Sequence, residues 1–154
     1  MTLFRRLQIG AVSSVFLCLA LWSGAAAADL DEQAWREECS ACHIAYPARF
    51  LPAPSWNEIM RTLDKHFGAD ASVDAATAEK ISRHLASAAR PTSRTQLGPS
   101  PLRITETRWF MHEHDEVSAK QWRNPKVKSA ANCAACHQDA EAGRFSEKSL
   151  HIPK

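Results

Sequence analysis

Two five-residue stretches, Cys39-Ser40-Ala41-Cys42-His43 and Cys133-Ala134-Ala135-Cys136-His137, carry residue types at a spacing that could do chemistry. Each sets two thiols around two intervening residues and follows them directly with an imidazole. This is the arrangement by which a haem is attached to a chain: the cysteines add to its two vinyl groups, and the adjacent histidine is held under the iron as the proximal ligand. The pattern predicts two haem c groups, bound through Cys39 and Cys42 and through Cys133 and Cys136, with His43 and His137 as proximal ligands. Two Cys-x-x-Cys pairs could instead build a structural zinc site. Ninety residues separate Cys42 from Cys133, far beyond zinc-ribbon spacing, and zinc gives no reason for a histidine directly after both pairs. A thioredoxin-like dithiol would want strands around one pair, and none is predicted.

The opposite face of each iron decides function, because a strong ligand there leaves an electron carrier whereas an open face permits binding or catalysis. His66, His84, His112, His114, His151, Met60 and Met111 remain as candidates. His66 lies at the edge of an apolar helical face shared with Ile59, and His114 shares a face with Phe110 and Val117. They are the leading distal candidates. His112, grouped with Arg108, Trp109 and Glu116, is the rival of His114, and the spacing leaves both open. His84 among Ser82, Arg83 and Ser87 reads as a surface residue, His151 as an exposed tail residue, and the two methionines as core filling.

The elements that must hold these residues read as all-α, with short helices and long loops wrapped around two covalently attached haems. Leu30, Ala34, Trp35, Cys39 and Cys42 recur at helical spacing, so a helix is expected from Leu30 to His43, with Asp29, Asp31 and Glu32 near its start. Three prolines at positions 47, 52 and 54 predict a haem-packing loop from which Tyr46, Phe50 and Leu51 cover a haem edge. A capping box of Ser55 and Glu58 predicts a helix from Trp56 to Phe67, stopped by Gly68. Asp74 caps a further helix to about Ala89, and an extended connection follows through Arg103. Helix is expected again from Thr105 to about Ser118, then a basic loop over 122–129. Asn132 should cap a short helix through the second attachment site, closed by Gly143, and the tail should pack through Phe145, Leu150 and Ile152. The predicted organisation is a leader at 1–28, a first haem-binding half at 29–90, a connecting segment at 91–103 and a second half at 104–154.

Arg5 and Arg6, the apolar run from Ile9 to Trp22 and the small residues Ala25 to Ala28 form a secretory signal peptide pattern, the run being short for a membrane span. The expected location is the periplasm, with no span left after cleavage. Of 19 Lys and Arg, loss of Arg5 and Arg6 leaves a number equal to the 17 Asp and Glu, so a basic nucleic-acid footprint is absent. Of five cysteines, Cys18 lies in the apolar run and the other four are in the two pentapeptides, leaving none for a disulfide.

With these residues in place the chain resembles the dihaem cytochrome c family of bacterial periplasmic electron carriers. The resemblance rests on Cys-x-x-Cys-His followed by Tyr46-Pro47, Leu51-Pro52, Ser55-Trp56 and His66-Phe67-Gly68, then Trp109 ahead of His114, and Asn132 to His137 leading into Ala140-Glu141-Ala142-Gly143. It implies a small helical c-type cytochrome in which both haems are bis-histidine, mapping onto His43, His66, His114 and His137. It also implies one-electron transfer between redox partner proteins, with a membrane b-type cytochrome as donor and an oxygen-binding monohaem cytochrome c, resembling sphaeroides haem protein, as acceptor. The alternative is a haem enzyme or gas-binding protein, peroxidase-like, with one labile distal ligand.

Overall fold

The computed structural model describes residues 12–91 and 101–154, with side chains from Ala26 onward. The basic start of the predicted leader and most of the predicted 91–103 connection lie outside the described residues. Among the described residues five α-helices follow one another: α1 (Val12–Cys39), α2 (Ala53–Arg61), α3 (Ala75–Ser87), α4 (Arg108–Glu113) and α5 (Ala119–Trp122). Short 3-10 turns link them, and among the described residues β-pairing is limited to isolated bridges. The chain is helical, with short helices and long connections beyond α1.

Helices α1, α2 and α3 enclose the core, in which Trp35, Leu51, Trp56, Ile59, Ile81 and Leu85 are all buried. Helix α3 forms as its sequence requires: the Asp74 side chain accepts from the backbone N–H groups of Ala76 and Thr77, and Ile81 and Leu85, one turn apart, face inward. Asp31 does not sit at a helix start as expected. It lies inside the continuous α1, is buried, and accepts two hydrogen bonds of 2.8 Å from Arg83 of α3. A carboxylate shielded at a helix–helix contact needs such a partner more than it needs the helix dipole.

Helix α2 also departs from expectation. Pro52 takes the N-cap position with Pro54 in the first turn, and Ser55 is buried within the helix instead of capping it. Glu58 pairs with Arg61, so the capping box is not formed. Fixed proline φ angles begin the helix before the Ser55 signal can act. The helix ends at Arg61, where the Thr62 hydroxyl donates back to the Glu58 carbonyl at 2.8 Å.

In the predicted haem-packing loop Tyr46 stacks on His43, while Phe50 and Leu51 pack elsewhere and the loop also forms a seam between the two halves. Leu51 is fully buried in the core. Phe50 packs against Trp109 and Phe145 with ring centroids 5.2 and 5.0 Å apart. Arg49 donates to the Gly143 carbonyl at 2.8 Å, and Trp109 Nε1 donates to the Phe50 carbonyl at 3.2 Å. The second half is built from shorter pieces. Helix α4 is capped by Thr107 and stops at Glu113, well short of the predicted end. Ser118, at the expected end of that helix, and Gln121 form a reciprocal capping box that starts α5, whose last residue Trp122 lies in the predicted basic loop, where Val127 is also buried. The expected helix at the second attachment site is a single 3-10 turn, Cys133–Ala135, and Asn132 donates to the Val127 carbonyl instead of capping it. Gly143 closes the next turn in the left-handed conformation, φ +69°. Of the tail residues, Phe145 packs inward, whereas Leu150 and Ile152 are exposed.

The Arg83 hydrogen bonds hold the Asp31 carboxyl below its usual pKa. The stability this contributes is complete above the ordinary carboxylate pKa, about 3.9, and is lost as pH falls through the lower folded value. In denaturant titrations Asp31→Asn should be less stable than the native chain at pH 7, and the gap should close as the pH is lowered through about 3.9 and below. A gap unchanged with pH would refute the ion pair.

Candidate haem sites

Helix α1 ends at Cys39, so the first attachment stretch is not carried on the helix as expected. Only its first thiol is helical, and Ser40 to Cys42 turn away to present His43. Nδ1–H of His43 donates to the Ile44 carbonyl at 2.6 Å, which leaves Nε2 free to accept a metal. Beside this stretch is a cavity of about 380 Å³ with mainly apolar walls, a size typical of cofactor sites. Cys39, Cys42 and His43 line one part of it, Trp56, Ile59, Met60 and Leu63 another, and His66 faces it.

His66 is presented by a turn and not by a helix face. A 3-10 turn, Leu63–Lys65, follows α2, and the chain then reverses through Phe67 and Gly68 with φ of +52° and +103°. Ala69 N–H donates to the His66 carbonyl at 3.1 Å, and Ala71 N–H to the Leu63 carbonyl at 2.9 Å, closing the turn. The left-handed conformation is open to glycine and costly for most other residues, so a phenylalanine held there marks a turn maintained by its surroundings. Arg103 supplies part of this support, its guanidinium lying 4.5 Å from the Phe67 ring centroid. His43 and His66 face each other with centroids 6.2 Å apart and planes at 27°.

The second site has the same spacing with different supports. His114 is the C-cap of α4, and its Nδ1–H donates to the Phe110 carbonyl at 2.8 Å while its ring stacks on Phe110 at 4.0 Å. Trp122 of α5 lies 5.9 Å from His114, and Phe145 lies 5.4 Å from His137. Sequence reasoning read Trp122 as loop, although the Ser118-x-x-Gln121 spacing was the available signal. His114 and His137 are 6.1 Å apart with planes at 79°. Of the remaining candidates, His112 is 81 % exposed toward Asp115, Met111 and His151 are exposed, and Met60 is half-buried in the wall of the first cavity. His84 is no plain surface residue, for it stacks on Trp35 at 4.5 Å.

Both sites fit haem. An iron held between two imidazoles by bonds of about 2 Å would set ring centroids roughly 6 Å apart, matching both pairs. His137 Nδ1 is buried with no hydrogen-bond partner among the described residues. Burial, and then the neighbouring imidazole, holds His66 and His137 below the ordinary histidine pKa, favouring the neutral, ligating form. Burial pushes the Cys39 and Cys133 thiols up to about 11, opposite to a reactive dithiol, which depresses its thiol pKa. Among the described residues no three Cys, His or acidic side chains converge as a zinc site would require.

Gly68→Ala should strain the turn at φ +103°, where a methyl group meets nothing within 4 Å and the penalty is conformational. Its ferric spectrum should show a high-spin fraction from displaced His66, whereas Gly143→Ala should not disturb that haem.

The family model for dihaem cytochrome c matches residues 35–145. No curated protein matches the chain in sequence. Among solved structures, a diheme cytochrome type c from Shewanella baltica is 37% identical with a TM-score of 0.70, over 80% of this chain and 94% of that one. Two structures from Rhodobacter sphaeroides, one described as DHC and one as diheme cytochrome c, are 48% and 46% identical with TM-scores of 0.64 and 0.65. They cover 73% of this chain and 96% and 95% of their own. With its two attachment stretches, two facing imidazole pairs and this extent of likeness, the chain belongs to the dihaem cytochrome c family and carries two covalently bound haem c groups with iron.

Proposed function

We propose that the protein is a one-electron carrier in which His43 and His66 ligate the first haem iron and His137 and His114 the second. The observation that carries this reading is the pair of ring separations, 6.2 and 6.1 Å, each the width of one ligated metal. Haem bound in this way supplies a reversible one-electron ferric–ferrous couple. The chain's own residues do the rest. Four thioethers formed at Cys39, Cys42, Cys133 and Cys136 hold the porphyrins in place. The Ile44 and Phe110 carbonyls orient His43 and His114 and raise their basicity, stabilising the ferric state. Imidazole on both faces makes the irons low-spin and keeps their potentials below those of methionine-ligated haems.

The periplasm is the proposed location, supported by the leader pattern and by the covalent haem chemistry; no helix, among the described residues, is long and apolar enough to cross a membrane. The proposed partners are a membrane b-type cytochrome as donor and an oxygen-binding monohaem cytochrome c as acceptor, on family resemblance. A gas-binding or peroxidase-like reading has one observation in its favour: His66 rests on a turn that includes a left-handed phenylalanine, so it is the more readily displaced of the two distal residues.

Ferric magnetic circular dichroism of the holoprotein should show bis-histidine low-spin iron at both centres, and the reduced protein should bind carbon monoxide slowly if at all. His66→Ala and His114→Ala should each convert one haem to a high-spin, ligand-accessible form, while His84→Ala and His112→Ala leave both spectra unchanged. A large high-spin ferric fraction in the native protein, or rapid carbon monoxide binding, would overturn the carrier reading.

A further inference from the structure

Tyr46 touches both haem sites at once. Its ring lies nearly parallel to His43, with centroids 4.5 Å apart and planes at 17°. Its hydroxyl donates to the Ala131 carbonyl at 2.7 Å, across 85 positions of sequence and two residues before Cys133. Ala131 and Cys133, an attachment thiol of the second haem, line the same cavity as Cys39, Cys42 and His43 of the first. The two haem sites therefore abut where Tyr46 stands, and one side chain joins a ligand of one to the attachment loop of the other.

A tyrosine could sit here merely to fill the seam. The seam, however, has other fastenings away from Ala131: Arg49 to Gly143, Trp109 to Phe50, and the Phe50 ring against Trp109 and Phe145. Ala131 itself is exposed and belongs to a loop between Val127 and the single 3-10 turn Cys133–Ala135, with no helix to stiffen it. Holding that loop is a local task, and a rigid two-χ aromatic ring with a polar tip suits it.

We propose that Tyr46 is a positioning residue for electron exchange between the two haems, its ring fixing the plane of His43 and its hydroxyl fixing the distance of the Cys133 loop from the first haem. The proposal rests on the carrier reading above. In the exchange one electron passes between the two irons, one being oxidised as the other is reduced; no bond is made or broken, and Tyr46 keeps its hydroxyl proton. Such transfer depends steeply on edge separation, so a loop free to move away lowers the rate without altering either ligand set.

The test uses half-reduced holoprotein and compares the native chain with Tyr46→Phe, which keeps the ring and loses the hydrogen bond, and Tyr46→Leu, which loses both. The interhaem rate is followed after a light pulse, and the spin–spin interaction by electron paramagnetic resonance of the ferric protein. Tyr46→Phe should lose interhaem rate and spin–spin interaction relative to the native chain, with both haems still low-spin. Equal rates and equal spin–spin interaction in the native chain and Tyr46→Phe would overturn the role of Tyr46, and would do so even if Tyr46→Leu failed to fold. A high-spin fraction in the native protein would instead overturn the carrier reading on which the proposal stands, and the two failures are separately visible.

Discussion

Two imidazoles can close on one metal only if the backbone holds their rings about one metal's width apart, and on the ligation proposed a chain of this size achieves that twice. The constraint is severe because a histidine beside its attachment thiols arrives with the loop, while its counterpart must be delivered by another element. In the first site the delivery depends on three packed helices: α1 ends at Cys39, and α2, docked through Trp56 and Ile59, leads into the turn carrying His66. In the second it depends on the end of α4, where Thr107 starts the helix and the Phe110 ring and carbonyl fix His114. The rest of the described fold either braces one of these deliveries or joins the two halves across Phe50.

The two halves meet the constraint with unequal means. Buried aliphatic and aromatic side chains cluster around α1–α3, and the Asp31–Arg83 ion pair fastens two of those helices. The second half has Phe110, Val127 and Ala140 buried, and it relies on caps, single turns and rings stacked about the histidines. For short elements with so little apolar burial, a covalently bound porphyrin serves as core material, as disulfides or metals do in other small folds.

Much of the site was legible in the residues because attachment chemistry is local: Cys39 to His43 and Cys133 to His137 need no tertiary information to be read. Local capping at Asp74 and the left-handed closure at Gly143 were legible for the same reason. Expectations failed where distant contacts outweighed a local signal. Ser55 and Glu58 spell a capping box, yet Pro52 starts the helix earlier and buries Ser55. Asp31 looked like a dipole-favoured first-turn acid and is instead the partner of Arg83, fifty-two residues away. His84 looked solvated because its sequence neighbours are polar, and it stacks on Trp35 from another helix. Phe50 and Leu51 read as covering a haem edge because their partners in the core and at Trp109 and Phe145 are far along the chain. The facing of His66 with His43, and of His114 with His137, is likewise a property of packing that helical periodicity does not specify.

The facing pairs also run in opposite orders along the chain. His43 precedes His66, whereas His114 precedes His137. Because synthesis proceeds from the N-terminus, the emerging polypeptide offers the first attachment thiols before the residue that will face their histidine, and offers the second attachment thiols after it. On the axial roles proposed, attachment that kept pace with chain emergence would leave one side of the first iron unguarded for a time, whereas the second porphyrin would meet a histidine already present. Each closure spans a modest loop, whose entropic cost grows slowly with length.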